Sequence, residues 1–207
     1  MKNRMKATLS VLALAASLVS AAGVLADATV SQPAPQFSAQ DASGKTVNLA
    51  DYKGKYVVLE WLNPGCPFVQ KHYNSGNMPT LQKDASGKGV VWLSVSSTAK
   101  TAADYKEPAA LKAWMKEKSG QPSAIVQDPE GKIGHAYGAR TTPHMYLIDP
   151  QGKLIYAGAI DSKASANPED IKTSTNYVNQ AITEALAGKP VSQPTTKAYG
   201  CGIKYAG

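Results

Sequence analysis

The stretch that decides the fold is LEWLNPGCPFVQKHY, residues 59–73. Its apolar start is typical of a buried strand, and a glycine, Cys66 and Pro67 then lead into a polar, helix-compatible segment. Proline suits the first position of a helix because its missing N–H would be unpaired there in any case. Cys66 is therefore predicted at a strand-to-helix junction, where unpaired backbone N–H groups favour the reactive thiolate. The stretch indicates redox chemistry.

Strands alternate with helices on both sides of this junction, which predicts an α/β domain. The predicted strands are Thr46–Leu49, Tyr56–Leu62, Val90–Ser96, Ala124–Gln127, Met145–Ile148 and Leu154–Ala157. The predicted helices are one from Pro67 that breaks near 74–77, one over Pro108–Lys118, and a last one from Asn167 to Leu186. The order is a βαβ unit followed by a hairpin and a covering helix.

The N-terminus has the features of a secretory signal peptide. Three basic residues precede an apolar run, and Val24-Leu25-Ala26 offers a small-residue cleavage site. We therefore expect residues 1–26 to be removed and the mature protein to be periplasmic or secreted. No later run approaches the roughly 20 apolar residues of a membrane span. The net charge of +7 falls to +4 without residues 1–26, and the basic residues are scattered, so nucleic-acid binding is not expected.

The sequence holds two cysteines, Cys66 and Cys201, both after the predicted cleavage site. The domain is predicted over 27–188, and Cys201 lies in a glycine-flanked tail, 189–207. A disulfide between them could be a structural staple, worth on the order of 4 to 5 kcal/mol for so long a loop. Alternatively, a mobile tail thiol could attack an oxidised Cys66 and leave again. The sequence leaves both open.

With these features the chain resembles the thioredoxin-like redoxins, the alkyl hydroperoxide reductase/thiol-specific antioxidant group. Cys66 matches their nucleophile at the start of a helix, Glu60 matches a buried carboxylate six residues earlier, and Thr142-Pro143 matches the threonine and cis-proline. The pairing of CPF with a terminal GCGIK is similar to an exported peroxiredoxin-like subgroup. The resemblance implies a single thioredoxin-like domain, with a central mixed β-sheet flanked by helices and a C-terminal tail.

The chain also departs from the best-known members of this group. Val69 occupies the position of the second cysteine in the Cys-x-x-Cys motif, so the usual resolving thiol is missing. Asn63 stands where a peroxiredoxin has Thr or Ser, and Leu59 stands where it has Pro. Pro143 falls where the peroxiredoxin arginine would align, with Arg140 nearby in sequence.

The resemblance implies a thiol-dependent oxidoreductase in which Cys66 attacks a peroxide or a protein disulfide, Cys201 resolves the product, and an external thiol reductant restores both thiols. Glu60 would relay a proton if it is buried with a raised pKa; as an edge residue with its head in solvent it would not. Asn63 could donate a hydrogen bond to sulfur or peroxide oxygen. Substrate binding is assigned to Thr142, Pro143, Pro67 and Phe68.

Two alternatives stand beside this reading. One is a non-catalytic binding protein of the same fold with a permanent Cys66–Cys201 disulfide. The other is a copper or zinc site on Cys66 and His144, for which no spacing supplies the remaining ligands. No cofactor and no metal are assigned, and either a monomer or a dimer is compatible with the sequence.

Overall fold

The computed structural model describes residues 27–207. The predicted signal peptide lies outside the described residues. The strands are β1 (Ser38–Gln40), β2 (Thr46–Asn48), β3 (Val57–Trp61), β4 (Val91–Ser96), β5 (Ala124–Gln127), β6 (Thr141–Thr142), β7 (His144–Ile148), β8 (Leu154–Gly158) and β9 (Cys201–Gly202). The helices are α1 (Pro67–Asn74), α2 (Asn77–Gly87), α3 (Pro108–Glu117), α4 (Lys132–Tyr137) and α5 (Tyr177–Leu186), and short 3₁₀ helices cover Leu49–Tyr52 and Pro168–Thr173.

A five-stranded mixed sheet organises the domain in the order β5-β4-β3-β7-β8. The first three strands are parallel, as βα crossovers require. Strand β7 runs antiparallel to β3 and forms the predicted antiparallel hairpin with β8. All five residues of β3 are buried because the strand is central and both faces are covered. The predicted thioredoxin-like fold, with a mixed sheet flanked by helices, is confirmed.

Alternation along β3 divides the core into two layers. Val58 and Leu62 pack under the helices α1, α2, α3 and α5. Val57, Leu59 and Trp61 face the opposite layer, which α4 and the N-terminal segment cover. Glu60 shares the parity of Val58 and therefore points into the first layer.

The predicted last helix is wrong in its first part. Residues 168–173 form a 3₁₀ helix, and α5 begins only at Tyr177, where the side chain of Asn176 accepts a hydrogen bond from the Asn179 N–H at 2.9 Å. The run Thr173-Ser174-Thr175-Asn176 explains the interruption, because such side chains compete for backbone hydrogen bonds and favour caps over helix interiors. The break predicted near 74–77 is confirmed, with Gly76 at φ 75° between α1 and α2.

The C-terminal segment 189–207 packs against the domain instead of extending from it. Its first part lies along β8, where Ala157 donates to Pro194 and accepts from Thr196. Its last part packs on α4, where the ring of Tyr205 stacks on His135 at 4.1 Å. We call residues 189–207 the strap. None of the helices in the described part of the chain has the length and apolar character needed to cross a membrane.

Candidate active site

Cys66 is the N-cap residue of α1, directly after the loop that leaves β3, as predicted. Its N–H donates to the Asn63 carbonyl at 3.0 Å, and Pro67 occupies the first helical turn. The thiol donates to the Thr142 carbonyl at 3.0 Å, and only 2% of the residue is exposed. Cys66 is thus fixed between the start of α1 and the segment that leads into β7.

The strap brings Cys201 to this point. Strand β9 pairs antiparallel with β6, so that Cys201 lies opposite Thr142 and Gly202 opposite Thr141. The Thr142–Pro143 peptide bond is cis, as the resemblance implied. Pairing therefore places the tail cysteine beside the residue whose carbonyl accepts the Cys66 thiol.

Both cysteines are free thiols. Cys66 contacts the Thr142 carbonyl and Cys201 is the register partner of Thr142, so both cysteines meet at this residue. The pKa of Cys201 is raised to about 12, first by burial and then by a hydrogen bond and charge interaction with Cys66. A hydrogen bond from the Phe68 backbone acts in the opposite direction. Cys201 thus reaches the N-terminus of α1, where the buried Val69 offers no thiol.

Gly200 allows the backbone of the strap to lie close to Thr142. Its φ is 138°, and a Cβ built there would overlap the Thr142 carbonyl. A side chain at 200 would therefore separate β9 from β6. A Cβ at Gly202, on the other side of Cys201, meets nothing within 4 Å.

Glu60 is fully buried in the layer that contains α1. Its carboxylate accepts four hydrogen bonds, from Tyr73 at 2.9 Å, Gln82 at 3.1 Å, and Trp92 and Ser94 at 2.8 Å each. Burial raises its pKa, and these four hydrogen bonds offset part of that shift. The solvent-exposed alternative for Glu60 is therefore wrong. Tyr73 lies two turns after Cys66, about 10 Å along the helix.

We expect Glu60→Ala to lower the free energy of unfolding by on the order of 3 kcal/mol, because it removes the acceptor of four buried hydrogen bonds. Glu60→Gln retains one carbonyl acceptor and is expected to lose less. Urea unfolding at neutral pH measures both. An equal loss for the two variants would show that the hydrogen bonds do not account for the effect.

Asn63 shapes the loop that precedes Cys66. Its side-chain oxygen accepts the Gly65 N–H at 2.8 Å, and its amide nitrogen donates to Asp104 at 2.8 Å and Thr98 at 3.3 Å. Lys204 of the strap reaches the same Asp104 oxygen at 2.8 Å. The amide protons of Asn63 are thus directed at these oxygens, and donation to a substrate would need a change of partner.

A buried polar cluster beside the site was not predicted. Lys71 and His72 of α1 meet Asp161, from the segment after β8, at 3.3 and 3.8 Å, and Tyr199 of the strap donates to the same carboxylate. His72 also contacts the Tyr199 hydroxyl at 3.2 Å and Asn77 at 2.8 Å. The only sequence signal was the polar run Gln70-Lys71-His72 on a helix that had to be buried on one side.

This cluster makes stability dependent on pH. The pKa of His72 is lowered to about 4, first by burial, with Asp161 opposing and Lys71 adding to the shift. An unfolded histidine titrates near 6.5. Between these values the unfolded chain binds a proton that the folded protein excludes, so stability is full above about pH 6.5 and falls as the pH drops towards 4.

We expect His72 to account for on the order of 3 kcal/mol of that loss. Urea unfolding at pH 7 and pH 4.5 measures it. His72→Gln should be less stable than wild type at pH 7 yet lose less on acidification. An unchanged difference between the two pH values would contradict the assignment.

His144 and Arg140 lie on the far side of the cis-proline segment. His144 Nδ1 accepts from the Arg140 backbone N–H at 3.3 Å and contacts the Tyr146 hydroxyl at 3.2 Å; its pKa is lowered to about 4, first by burial. The Arg140 guanidinium is 79% exposed and pairs with Asp27 at 3.4 Å. Across residues 27–207, no three His, Cys, Asp or Glu side chains are grouped so that they could hold a metal ion.

Fold and site together define a class: a thioredoxin-fold protein with a cysteine at a helix N-terminus, a cis-proline beside it and a second cysteine delivered by the C-terminal strap. The AhpC/TSA family profile matches residues 30–157, and the chain belongs to that family.

Curated relatives fall into two named groups. The thiol-disulfide oxidoreductase ResA of Geobacillus thermodenitrificans is 30% identical over 127 residues, covering 60% of this chain and 66% of the relative. The peroxiredoxin Bcp of Bacillus subtilis is 28% identical over 145 residues, covering 61% of this chain and 82% of the relative. The chain thus spans slightly less than two thirds of the ResA protein it matches.

Solved structures share the fold. A hypothetical protein of Sinorhizobium meliloti superposes with a TM-score of 0.71 at 23% identity, covering 87% of this chain and 97% of the other. A protein of Chlorobium tepidum described as a "putative Thiol:disulfide interchange protein DsbE" superposes with a TM-score of 0.52 at 23% identity, covering 63% of this chain and 85% of the other.

Proposed function

We propose that this protein is an exported thiol-dependent oxidoreductase that cycles between a Cys66/Cys201 dithiol and a Cys66–Cys201 disulfide. The observation that carries the proposal is the pairing of β9 with β6, which brings the tail thiol to the residue that Cys66 contacts. The position of the second cysteine in the Cys-x-x-Cys motif is held by the inert Val69. The family includes proteins named thiol-disulfide oxidoreductases and peroxiredoxins, which agrees with this chemistry.

Cys66 acts as the nucleophile once its thiol has lost its proton, because the thiolate is the reactive form. With a peroxide it attacks one oxygen, becomes a sulfenic acid and releases an alcohol or water. With a disulfide it forms a mixed disulfide and releases one thiolate. Cys201 then attacks the Cys66 sulfur and expels water or the second thiolate. Two equivalents of an external thiol reductant restore both cysteines and are themselves oxidised.

Access to Cys66 favours a small oxidant over a large one. Cys66 is 2% exposed, and the strap already occupies the edge of Thr141–Thr142 on which a substrate chain would pair. A peroxide or a small disulfide needs only a narrow path, whereas a protein disulfide has to displace β9. Pro67 and Phe68 line the same end of α1, and we keep them with Thr142 and Pro143 as the substrate-facing group.

Glu60 and Asn63 support the site indirectly in this proposal. Glu60 reaches α1 through Tyr73, so proton relay from its carboxyl would pass through that hydroxyl. Asn63 holds the loop before Cys66, since its side chain accepts the Gly65 N–H and its carbonyl accepts the Cys66 N–H. Periplasmic or secreted localisation rests on the signal-peptide pattern of residues 1–26.

The test is steady-state turnover of the mature protein with dithiothreitol as reductant and either hydrogen peroxide or oxidised glutathione as oxidant. We expect saturable turnover with at least one oxidant, absent from Cys66→Ser. Rates equal to the uncatalysed reaction with both oxidants would overturn the proposal.

A non-catalytic protein with a structural disulfide is the second candidate, and the extensive packing of the strap favours it. Oxidised wild type and oxidised Cys201→Ser separate the two. A loss of several kcal/mol in the serine variant, together with absent turnover in wild type, would select the structural role.

A further inference from the structure

Tyr199 connects the strap to the buried cluster behind Cys66. Its hydroxyl donates to Asp161 and contacts His72 Nε2 at 3.2 Å. Asp161 is paired with Lys71, whose ammonium also donates to the Lys163 carbonyl at 3.0 Å and lies 5.6 Å from the centre of the Tyr199 ring. Lys71 and Asp161 are almost fully buried, so the hydroxyl has entered a site with very little water.

The cluster belongs to the helix that carries Cys66. Lys71 and His72 lie one and a half turns further along α1, and the ring of Phe68 packs edge-on against Tyr199 at 5.8 Å. On the strap, only Gly200 separates Tyr199 from Cys201. The side chain of Tyr199 therefore fixes the strap, two residues before Cys201, onto the helix that carries Cys66.

We propose that Tyr199 is the positioning residue of the redox pair: by docking its hydroxyl on Asp161 and His72 it holds Cys201 within reach of Cys66 and so sets how readily their disulfide closes. The inference rests on the proposed function, since it presumes that the Cys66–Cys201 disulfide forms.

The contacts on the other side of Cys201 are weaker candidates for this role. Lys204 pairs with Asp104, but its side chain is 55% exposed, and exposed pairs contribute little. Tyr205 is anchored on Ala139 and His135, away from α1, and three residues separate it from Cys201. Tyr199, by contrast, lies two residues from Cys201 and contacts α1 directly.

Glutathione redox buffers measure the effect without knowledge of the natural substrate. Oxidised glutathione reacts with Cys66 to give a Cys66–glutathione mixed disulfide and one glutathione thiolate. Cys201 then displaces the second thiolate and closes the protein disulfide. The equilibrium constant of the whole exchange reports the effective concentration of Cys201 at Cys66. If Tyr199 had a purely structural role, its substitution would leave this constant unchanged.

The variant is Tyr199→Phe, which keeps the ring against Phe68 and removes only the hydroxyl. We expect a roughly 10-fold fall in the equilibrium constant for disulfide closure, the size of one hydrogen bond to a charged group. Tyr56→Phe is the matched control, since its partly buried hydroxyl donates to the Ala185 carbonyl of α5 and not to the cluster around Asp161, and it should match wild type. Combining Tyr199→Phe with Cys201→Ser isolates the first step, the reaction of Cys66 with oxidised glutathione. Its rate should equal that of Cys201→Ser alone.

The outcomes separate the two ideas. If wild type closes the disulfide and Tyr199→Phe closes it equally well, the positioning role is wrong and the proposed function stands. If wild type forms only mixed disulfides with glutathione, the proposed Cys66–Cys201 cycle is itself wrong, and the inference about Tyr199 is overturned with it. A slower first step in the double variant would place the effect of Tyr199 on Cys66 itself and overturn the inference. If circular dichroism shows that Tyr199→Phe is unfolded, Asp161→Asn is tested in its place. This variant keeps an acceptor for the Tyr199 hydroxyl, so the inference requires its equilibrium constant for disulfide closure to fall by less than the roughly 10-fold expected of Tyr199→Phe.

Discussion

Cys201→Ser is expected to stop catalytic turnover while leaving a single reaction of Cys66 intact. Cys66 keeps its place at the start of α1, so it should still react once with an oxidant and then remain as a sulfenic acid or mixed disulfide. Because an intramolecular thiol acts at a high effective concentration, its loss should lower turnover by on the order of 100-fold or more. Intact mass after mixing, together with steady-state rates, measures both effects.

Cys66→Ser is the companion variant and should lose the first reaction as well. Both serine variants are nearly isosteric with wild type and should keep its circular dichroism. Turnover by Cys201→Ser at the wild-type rate would mean that an external thiol, and not the strap, resolves Cys66.

Gly200→Ala is expected to impair disulfide closure almost as severely as Cys201→Ser. The new Cβ would overlap the Thr142 carbonyl, and φ of 138° is strained for any residue with a side chain. The β9–β6 pairing should therefore open and move Cys201 away from Cys66. Free-thiol counts after one equivalent of oxidant measure the loss of closure.

Gly202→Ala is the matched control, since its Cβ meets nothing within 4 Å on the other side of the same cysteine. It should close its disulfide at close to the wild-type rate. Equal behaviour of the two alanine variants would contradict the role of the β9–β6 pairing. The domain core does not depend on Gly200, so both variants should unfold within about 1 to 3 kcal/mol of wild type.

The central part of the fold could be predicted because its signals are local. A buried apolar strand, Cys66 and Pro67 define the β3–α1 junction, and Asp149-Pro150-Gln151-Gly152 defines the β7–β8 hairpin, which the structure reproduces. Elements of only a few residues were not predicted. Strand β1 has three residues and α4 has six, too few for a hydrophobic period to emerge.

The strap could not be predicted because its order depends on contacts that are distant in sequence. Glycine and proline in 188–202 predicted a mobile end, yet Tyr199 meets Asp161 and Lys204 meets Asp104. The sequence identified Cys66 and Cys201 as chemistry-bearing residues. It could not show that β9 pairs with β6, because two-residue strands carry no periodic pattern.

Mapping of the oxidised bond tests the central claim most directly. Pre-reduced protein is mixed with one equivalent of hydrogen peroxide or oxidised glutathione, quenched over a time course, digested without reduction and analysed by mass spectrometry. We predict loss of both thiols faster than in a free-cysteine control, and one linked peptide pair that joins Cys66 to Cys201. Thiols that oxidise no faster than free cysteine with either oxidant, or a product in which Cys66 and Cys201 are never joined, would contradict the account.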